Sequence, residues 1–305
     1  MAPVARRGSA AGPARVAVVT LGCKVNQFDS ASLVGRLQRE GLEPVAFSGD
    51  ADIFVVNTCS VTARADLEAR QWIRRARRLN PEGTVIVTGC YAASGRATLE
   101  AMPEVDLVAG VQERERIYKL LRDRGFVEGD RLACQAAADP FMDFEEATFG
   151  GRTRAFLKVQ DGCNAFCTFC VIPYTRGRSR STPPARVVHQ VARLAEQGFR
   201  EVVLTGINLS TYGRDLKPRT DLRSLLEQIE AQGVPGRLRL SSVEPTGFTD
   251  GLIALLGRSR LLCPHQHIPL QSGDDAVLRR MNRRRSSRHL RKASITGRRR
   301  GRHHR

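Results

Sequence analysis

Short apolar runs alternate with longer amphipathic stretches through the first half of the chain. Val16–Leu21, Ile53–Val56, Val85–Val87 and Leu107–Val108 carry almost no polar residue. Such runs predict strands covered on both faces, as in a parallel sheet. Between them Ser30–Glu40 and Ala65–Leu79 have helical spacing. In the second, Ala69, Trp72, Ile73, Ala76 and Leu79 share a face, and Asn80-Pro81 ends the pattern. The alternation predicts an α/β fold with an N-terminal open parallel sheet over 15–127.

Residues 128–152 break the rhythm with Ala-rich, acidic and Gly-Gly stretches, and read as a linker. Alternation resumes over 153–284. Strands are expected at Ala155–Gln160, Glu201–Leu204, Arg237–Leu240 and His267–Leu270. Helices are expected at Pro183–Gln197, with Thr182 as N-cap, and at Leu222–Ala231. Successive βα units of this kind predict part of a βα barrel. The small basic segment 1–14 and the Arg-rich segment 285–305 have too few apolar residues to bury a core, and are expected to be disordered.

Composition adds a partner class. The 305 residues carry a formal charge of +18, which favours a polyanion such as nucleic acid. Residues 285–305 hold nine Lys/Arg and no Asp/Glu, so half of that excess sits in the tail. The arginines of Ala65–Leu79 (Arg70, Arg74, Arg75, Arg77 and Arg78) form a candidate RNA-binding face, against the plainer reading of a solvated one. No run of eighteen apolar residues exists, so no membrane span is expected. The N-terminus lacks an apolar signal core, and eight cysteines without one suggest metal or catalytic thiols in a reducing cytoplasm.

Three of those cysteines, Cys163, Cys167 and Cys170, have the spacing C-x3-C-x2-C in a loop after a predicted strand. Three thiolates within eight residues suit an iron–sulfur cluster, and a cube of four irons would keep one iron open for another ligand. A zinc site or buried thiols is the competing reading. Cys23, Cys59 and Cys90 are far apart in sequence, but each follows the C-terminal end of a predicted strand. In a parallel sheet those ends share one edge, so the three thiols are expected to converge on a second cluster, against the alternative of small buried side chains. Cys134 and Cys263 have no such company and read as structural or incidental.

The three-cysteine loop resembles the signature of radical S-adenosylmethionine enzymes. LGCKVNQFDS, NTCSVTARAD, TGCYA, KVQDGCNAFCTFCVIPYTRGRSRS, LTGINLSTYG, RLSSVEP and HIPLQSGDDAVLRRMNRR together resemble the methylthiotransferase family, in order and in separation, from Arg15 to about Arg284. LGCKVNQ, the VT after NTCS, QDGCN and the LTGI block are most similar to the branch acting on N6-threonylcarbamoyladenosine in tRNA.

The resemblance implies a partial radical S-adenosylmethionine barrel in the second half and two 4Fe–4S clusters. One would be held by Cys163, Cys167 and Cys170, the other by Cys23, Cys59 and Cys90. S-adenosylmethionine would serve as radical source and as methyl donor, and the product would be a C2-methylthio adenosine 3′ of the anticodon. Phe169, Thr205, Gly206, Asn208, Ser242, Glu244, His267 and Gln271 would border the cofactor, with strand-end packing as the competing role. Arg176, Arg178 and Arg180 would meet RNA phosphate or the cofactor carboxylate. The expected partners are tRNA and an electron donor such as flavodoxin or ferredoxin, with the chain a cytoplasmic monomer.

The family pattern continues beyond MNRR with more barrel and a small RNA-binding β-barrel, where this chain has its Arg-rich tail. The expectation is a truncated chain, unstable or inactive as written. The alternatives are a methylthiotransferase acting on a ribosomal protein and a non-catalytic iron–sulfur RNA-binding protein.

Overall fold

The computed structural model describes residues 12–127 and 153–283. The predicted linker 128–152 with Cys134, the tail 285–305, and all but the end of the predicted arm 1–14 lie outside them. The described residues form two compact units. One holds 12–127 with Tyr174–Arg176, the other 153–173 with 177–283.

In the first unit, strands β1 (Arg15–Thr20), β2 (Glu43–Val45), β3 (Ile53–Thr58), β4 (Thr84–Gly89) and β5 (Leu107–Gly110) form one sheet in the order β2-β1-β3-β4-β5. Every pairing is parallel. Helix α1 (Lys24–Arg39) follows β1, α2 (Ala63–Leu79) follows β3, α3 (Cys90–Ser94) and α4 (Arg96–Glu100) follow β4, and α5 (Arg114–Asp123) follows β5. All residues of β3 and β4 are buried, because both faces of the sheet are covered. Phe54 and Val56 pack on one face with Ala69, Ile73, Ala76 and Leu99. Ile53 and Val55 pack on the other with Leu33, Leu37, Ile117 and Leu121.

Helix α1 starts six residues earlier than its apolar spacing suggests, at Lys24 and not Ser30. Its first turns bury polar residues, among them Asn26, Asp29 and Ser30, which hydropathy alone reads as loop. Helix α2 is capped by Thr62, whose hydroxyl accepts from the Ala65 amide at 3.2 Å. Its basic face is in good part structural. Arg70 donates to the Tyr91 hydroxyl at 2.6 Å, and Arg75 lies 4.9 Å from the centre of the Trp72 ring. Arg77 binds the carbonyls of Pro81, Gly83 and Glu104 and the Asp106 carboxylate.

In the second unit, β6 (Arg154–Asp161), β7 (Arg180–Ser181), β8 (Glu201–Gly206) and β9 (Arg237–Leu240) form a sheet in the order β7-β6-β8-β9. Only β7 is antiparallel. Helices α6 (Ile172–Thr175), α7 (Pro184–Glu196), α8 (Leu222–Ala231), α9 (Asp250–Arg258) and α10 (Asp275–Arg280) complete the order, with α6 running into the first unit. The strand expected at His267–Leu270 is reduced to one parallel bridge, Ser242 to His267. Thr182 does not cap α7; Pro183 holds that position without a side-chain bond. Thr182 is instead buried, with its carbonyl accepting from the Tyr212 hydroxyl at 2.6 Å and its amide bound to Val159. Glu201, at the start of β8, is 4% exposed and gathers Arg154 at 2.7 Å and Arg239 at 2.8 Å. No helix among the described residues is long and apolar enough to cross a membrane.

Asp106 offers a test of the first unit. Burial alone would raise its carboxyl, but the Val85 amide, Arg124 and Arg77 outweigh it and hold the group below the ordinary carboxylate range. The stabilisation it gives is therefore complete above about pH 4 and is lost as pH falls through the lower folded value. Asp106→Asn is expected to lower the thermal midpoint of the first unit at neutral pH and to flatten its dependence on acid. An unchanged acid dependence would contradict this.

Candidate functional site

Parallel register sets where the cysteines of the first unit stand. Thr20 is level with Asn57, and Asn57 with Thr88, so the loops after β1, β3 and β4 leave the sheet at one edge. Cys23 occupies the N-cap position of α1, Cys59 follows β3 directly, and Cys90 opens α3. Cys59 and Cys90 are buried and Cys23 is exposed.

The loops are pressed together. A Cβ on Gly22 (φ +94°) would lie 2.6 Å from the Cys59 sulfur, and one on Gly89 (φ +96°) 2.2 Å from the Thr58 carbonyl oxygen. Both conformations also favour glycine. Asn26 fastens two of the loops, its side-chain amide donating to the carbonyls of Leu21 at 2.8 Å and Thr58 at 2.9 Å. The Thr58 hydroxyl binds the third through Thr88 O at 2.5 Å. Burial pushes the Cys59 and Cys90 thiols up; the neighbouring thiols raise both further, and Arg176 opposes the rise.

In the second unit, Cys163, Cys167 and Cys170 stand in the loop after β6 and line a cavity of about 610 Å³. The buried Gln160 side chain ties that loop to its surroundings. Its amide nitrogen donates to the carbonyls of Asp161 and Gly162 and to Ser179 Oγ, and its oxygen accepts from the Asn208 amide at 2.8 Å. Cys163 N donates to Gly177 O at 3.0 Å, and Asn164 Oδ1 accepts from Ser179 N at 3.1 Å. Burial raises the Cys163 thiol, and the Cys170 and Cys167 thiols add to that.

Among the described residues, no group of three or more His, Cys, Asp or Glu side chains closes on a point as a single metal ion needs. Cys23, Cys59 and Cys90 in one unit and Cys163, Cys167 and Cys170 in the other each offer three free thiols, the soft donors that iron–sulfur clusters take.

Two family models match the chain: Uncharacterized protein family UPF0004 over residues 15–110, and the Radical SAM superfamily over 157–302. The second match runs beyond Arg284, into the tail. The threonylcarbamoyladenosine tRNA methylthiotransferase MtaB of Bacillus subtilis is 42% identical, with 89% of this chain and 60% of that protein covered. The protein of the same name from Aquifex aeolicus is 41% identical, with 88% and 66% covered. The chain belongs to the radical SAM methylthiotransferase family.

It spans between 60% and 66% of the length of those relatives. The solved radical S-adenosylmethionine methyltransferase TsrM of Kitasatospora setae is similar in fold, with a TM-score of 0.63 at 17% identity over 95% of this chain and 68% of that one.

The remaining residues expected to border a bound cofactor divide by position. Phe169, Asn208 and Glu244 line the cavity with the three thiols; Thr205, Gly206, Ser242, His267 and Gln271 do not. Thr205 is buried in β8, and Gly206 N faces Ser241 Oγ at 3.4 Å. Ser242 Oγ and His267 Nδ1 bond to each other at 2.7 Å, and Gln271 is an exposed residue with φ +63°. Cys263 is buried with its sulfur 4.0 Å from Glu201 Oε2. Arg214, Asp215, Asn282 and Arg283 line the cavity without a sequence signal that marked them.

Arg176 differs most from expectation. It is fully buried, within the first unit, and not on a solvated basic surface. There its Nη2 donates to Asn26 Oδ1 at 2.5 Å and to Asp29 Oδ2 at 2.9 Å. Arg114 binds the other Asp29 oxygen at 2.9 Å. Arg176→Met would leave Asn26 and Asp29 each short of a donor, and the loss of one partner from a buried ion pair costs about 3 kcal/mol. Chemical denaturation of the first unit should show a loss of that order. A change below about 1 kcal/mol would contradict it.

Proposed function

We propose that this chain carries the catalytic units of a tRNA methylthiotransferase, acting on N6-threonylcarbamoyladenosine 3′ of the anticodon and adding a methylthio group at C2. The observation that carries the reading is the loop Cys163–Cys170, three thiols within eight residues on the wall of a cavity of about 610 Å³. That volume is in the range of small-ligand pockets. The second set of thiols at the sheet edge, the +18 charge and the names of the two relatives support it.

When bound, S-adenosylmethionine at a 4Fe–4S cluster would supply radical chemistry, and an auxiliary cluster would supply sulfur. Cys163, Cys167 and Cys170 would hold the first cluster, and Cys23, Cys59 and Cys90 the second.

This chain's part is to bind, orient and exclude water. Phe166 and Phe169, about half exposed at 48% and 54%, offer aromatic faces to a ligand in the cavity. Asn208 stands beside Cys163, and its side-chain oxygen also caps the following turn through Ser210 N. Glu244 is paired with Arg283 through both carboxylate oxygens at 2.7 Å, so that wall is polar without being strongly charged. Arg214 and Asp215 add a donor and an acceptor to the lining. The electron donor would be a flavodoxin or ferredoxin.

Deleting the coding sequence should remove the methylthio group from threonylcarbamoyladenosine in tRNA hydrolysates analysed by mass spectrometry. Unchanged nucleosides with an altered ribosomal peptide would favour a protein substrate instead. In the purified protein, Cys163→Ala should abolish formation of 5′-deoxyadenosine. Cys90→Ala should spare it but abolish methylthio transfer. No 5′-deoxyadenosine from the unaltered, cluster-loaded protein would favour a non-catalytic iron–sulfur protein.

A further inference from the structure

The residues just after α10 do more than end a helix. Arg283 N donates to Leu278 O at 2.8 Å and Asn282 N to Arg279 O at 3.0 Å. Asn282 itself is left-handed, at φ +54°. These two bonds and that conformation make a Schellman stop with asparagine at the position glycine usually takes. Leu278, fully buried, anchors the helix, and Asp274 caps its start through Val277 N at 2.8 Å.

Glycine would stop the helix with less strain, so the asparagine side chain needs a separate reason. Its amide donates to Phe166 O at 2.9 Å and to Ala165 O at 3.3 Å. Both acceptors lie between Cys163 and Cys167. Phe166 is also left-handed, at φ +47°, a conformation that costs a bulky residue energy and persists only where neighbours hold it. The same segment binds the next residues of the loop. Thr168 N donates to Met281 O at 3.2 Å and Thr168 Oγ1 to Arg280 O at 3.3 Å. Arg283, anchored on Glu244, places its guanidinium 5.6 Å from the centre of the Phe169 ring. Every loop residue from Ala165 to Phe169 except Cys167 thus touches the segment Arg280–Arg283.

We propose that Asn282 is a positioning residue for the three-cysteine loop: its amide straps the strained Phe166 backbone so that Cys163, Cys167 and Cys170 keep the spacing a cluster needs. The strap acts on the loop with or without a bound group; its effect on a cluster rests on the function proposed above.

The test separates a strap from a helix cap. Asn282→Gly keeps the left-handed stop and removes the amide; Asn282→Asp tolerates the same backbone and replaces the donor by an acceptor. In the metal-free protein, both variants should speed hydrogen exchange of the Thr168 amide about tenfold, as for the loss of one or two net hydrogen bonds. Exchange in β6 and β8 should not change. In the anaerobically loaded protein, both should release iron to a chelator faster, again about tenfold. They should also alter the change that S-adenosylmethionine makes in the electron paramagnetic resonance spectrum of the reduced cluster. Exchange at Thr168 and cluster retention like those of the unaltered protein would overturn the proposal. A general loss of folding in Asn282→Gly would do so too, since glycine preserves the stop. Failure of the unaltered protein to take up iron would instead count against the function, while the exchange measurement still decides the strap.

Discussion

Parallel strand pairing is the constraint on which the chemistry of this chain depends. It brings the carboxyl ends of strands to a common edge, and loops with polar or reactive residues can meet there while the apolar runs stay covered. In the first unit the level positions of Thr20, Asn57 and Thr88 deliver Cys23, Cys59 and Cys90 from sites 36 and 31 residues apart in sequence. In the second, the pairing of β6 with β8 puts Gln160 next to Gly206, within reach of Asn208 and of the three-cysteine loop.

Edges of this kind need buried polar side chains, because loop backbone removed from water must find partners. Asn26 and Gln160 have equivalent duties in the two units. Each turns a side-chain amide onto loop carbonyls, and each accepts a bond at its oxygen, from Arg176 in one case and from Asn208 N in the other. The amides give direction where hydrophobic burial gives none. Burial raises the Cys59, Cys90 and Cys163 thiols, and thiols bind a metal only as they lose their protons.

What the sequence disclosed follows from period and spacing. The apolar runs marked the strands of the first sheet, and C-x3-C-x2-C marked the loop. What it concealed depends on tertiary partners. Strand β2 has two exposed residues among its three and owes its assignment to pairing with β1. Helix α5 buries only Arg114, Ile117, Tyr118 and Leu121 within a highly charged stretch. Arg176, followed by Arg178 and Arg180 in sequence, gave no sign that Asp29 and Asn26 would bury it. Asn282 lies 112 residues beyond Cys170, and nothing local in MNRR connects it to the loop it holds. The family resemblance supplied blocks and their order, and the structure supplied the reason several of the polar residues are there.

Iron and acid-labile sulfide per chain, after anaerobic purification and reconstitution, test the central claim most directly. The account predicts about eight irons, falling to about four when either set of three cysteines is changed to alanine. About four irons in the unaltered chain, or a count insensitive to one of the two sets, would contradict it.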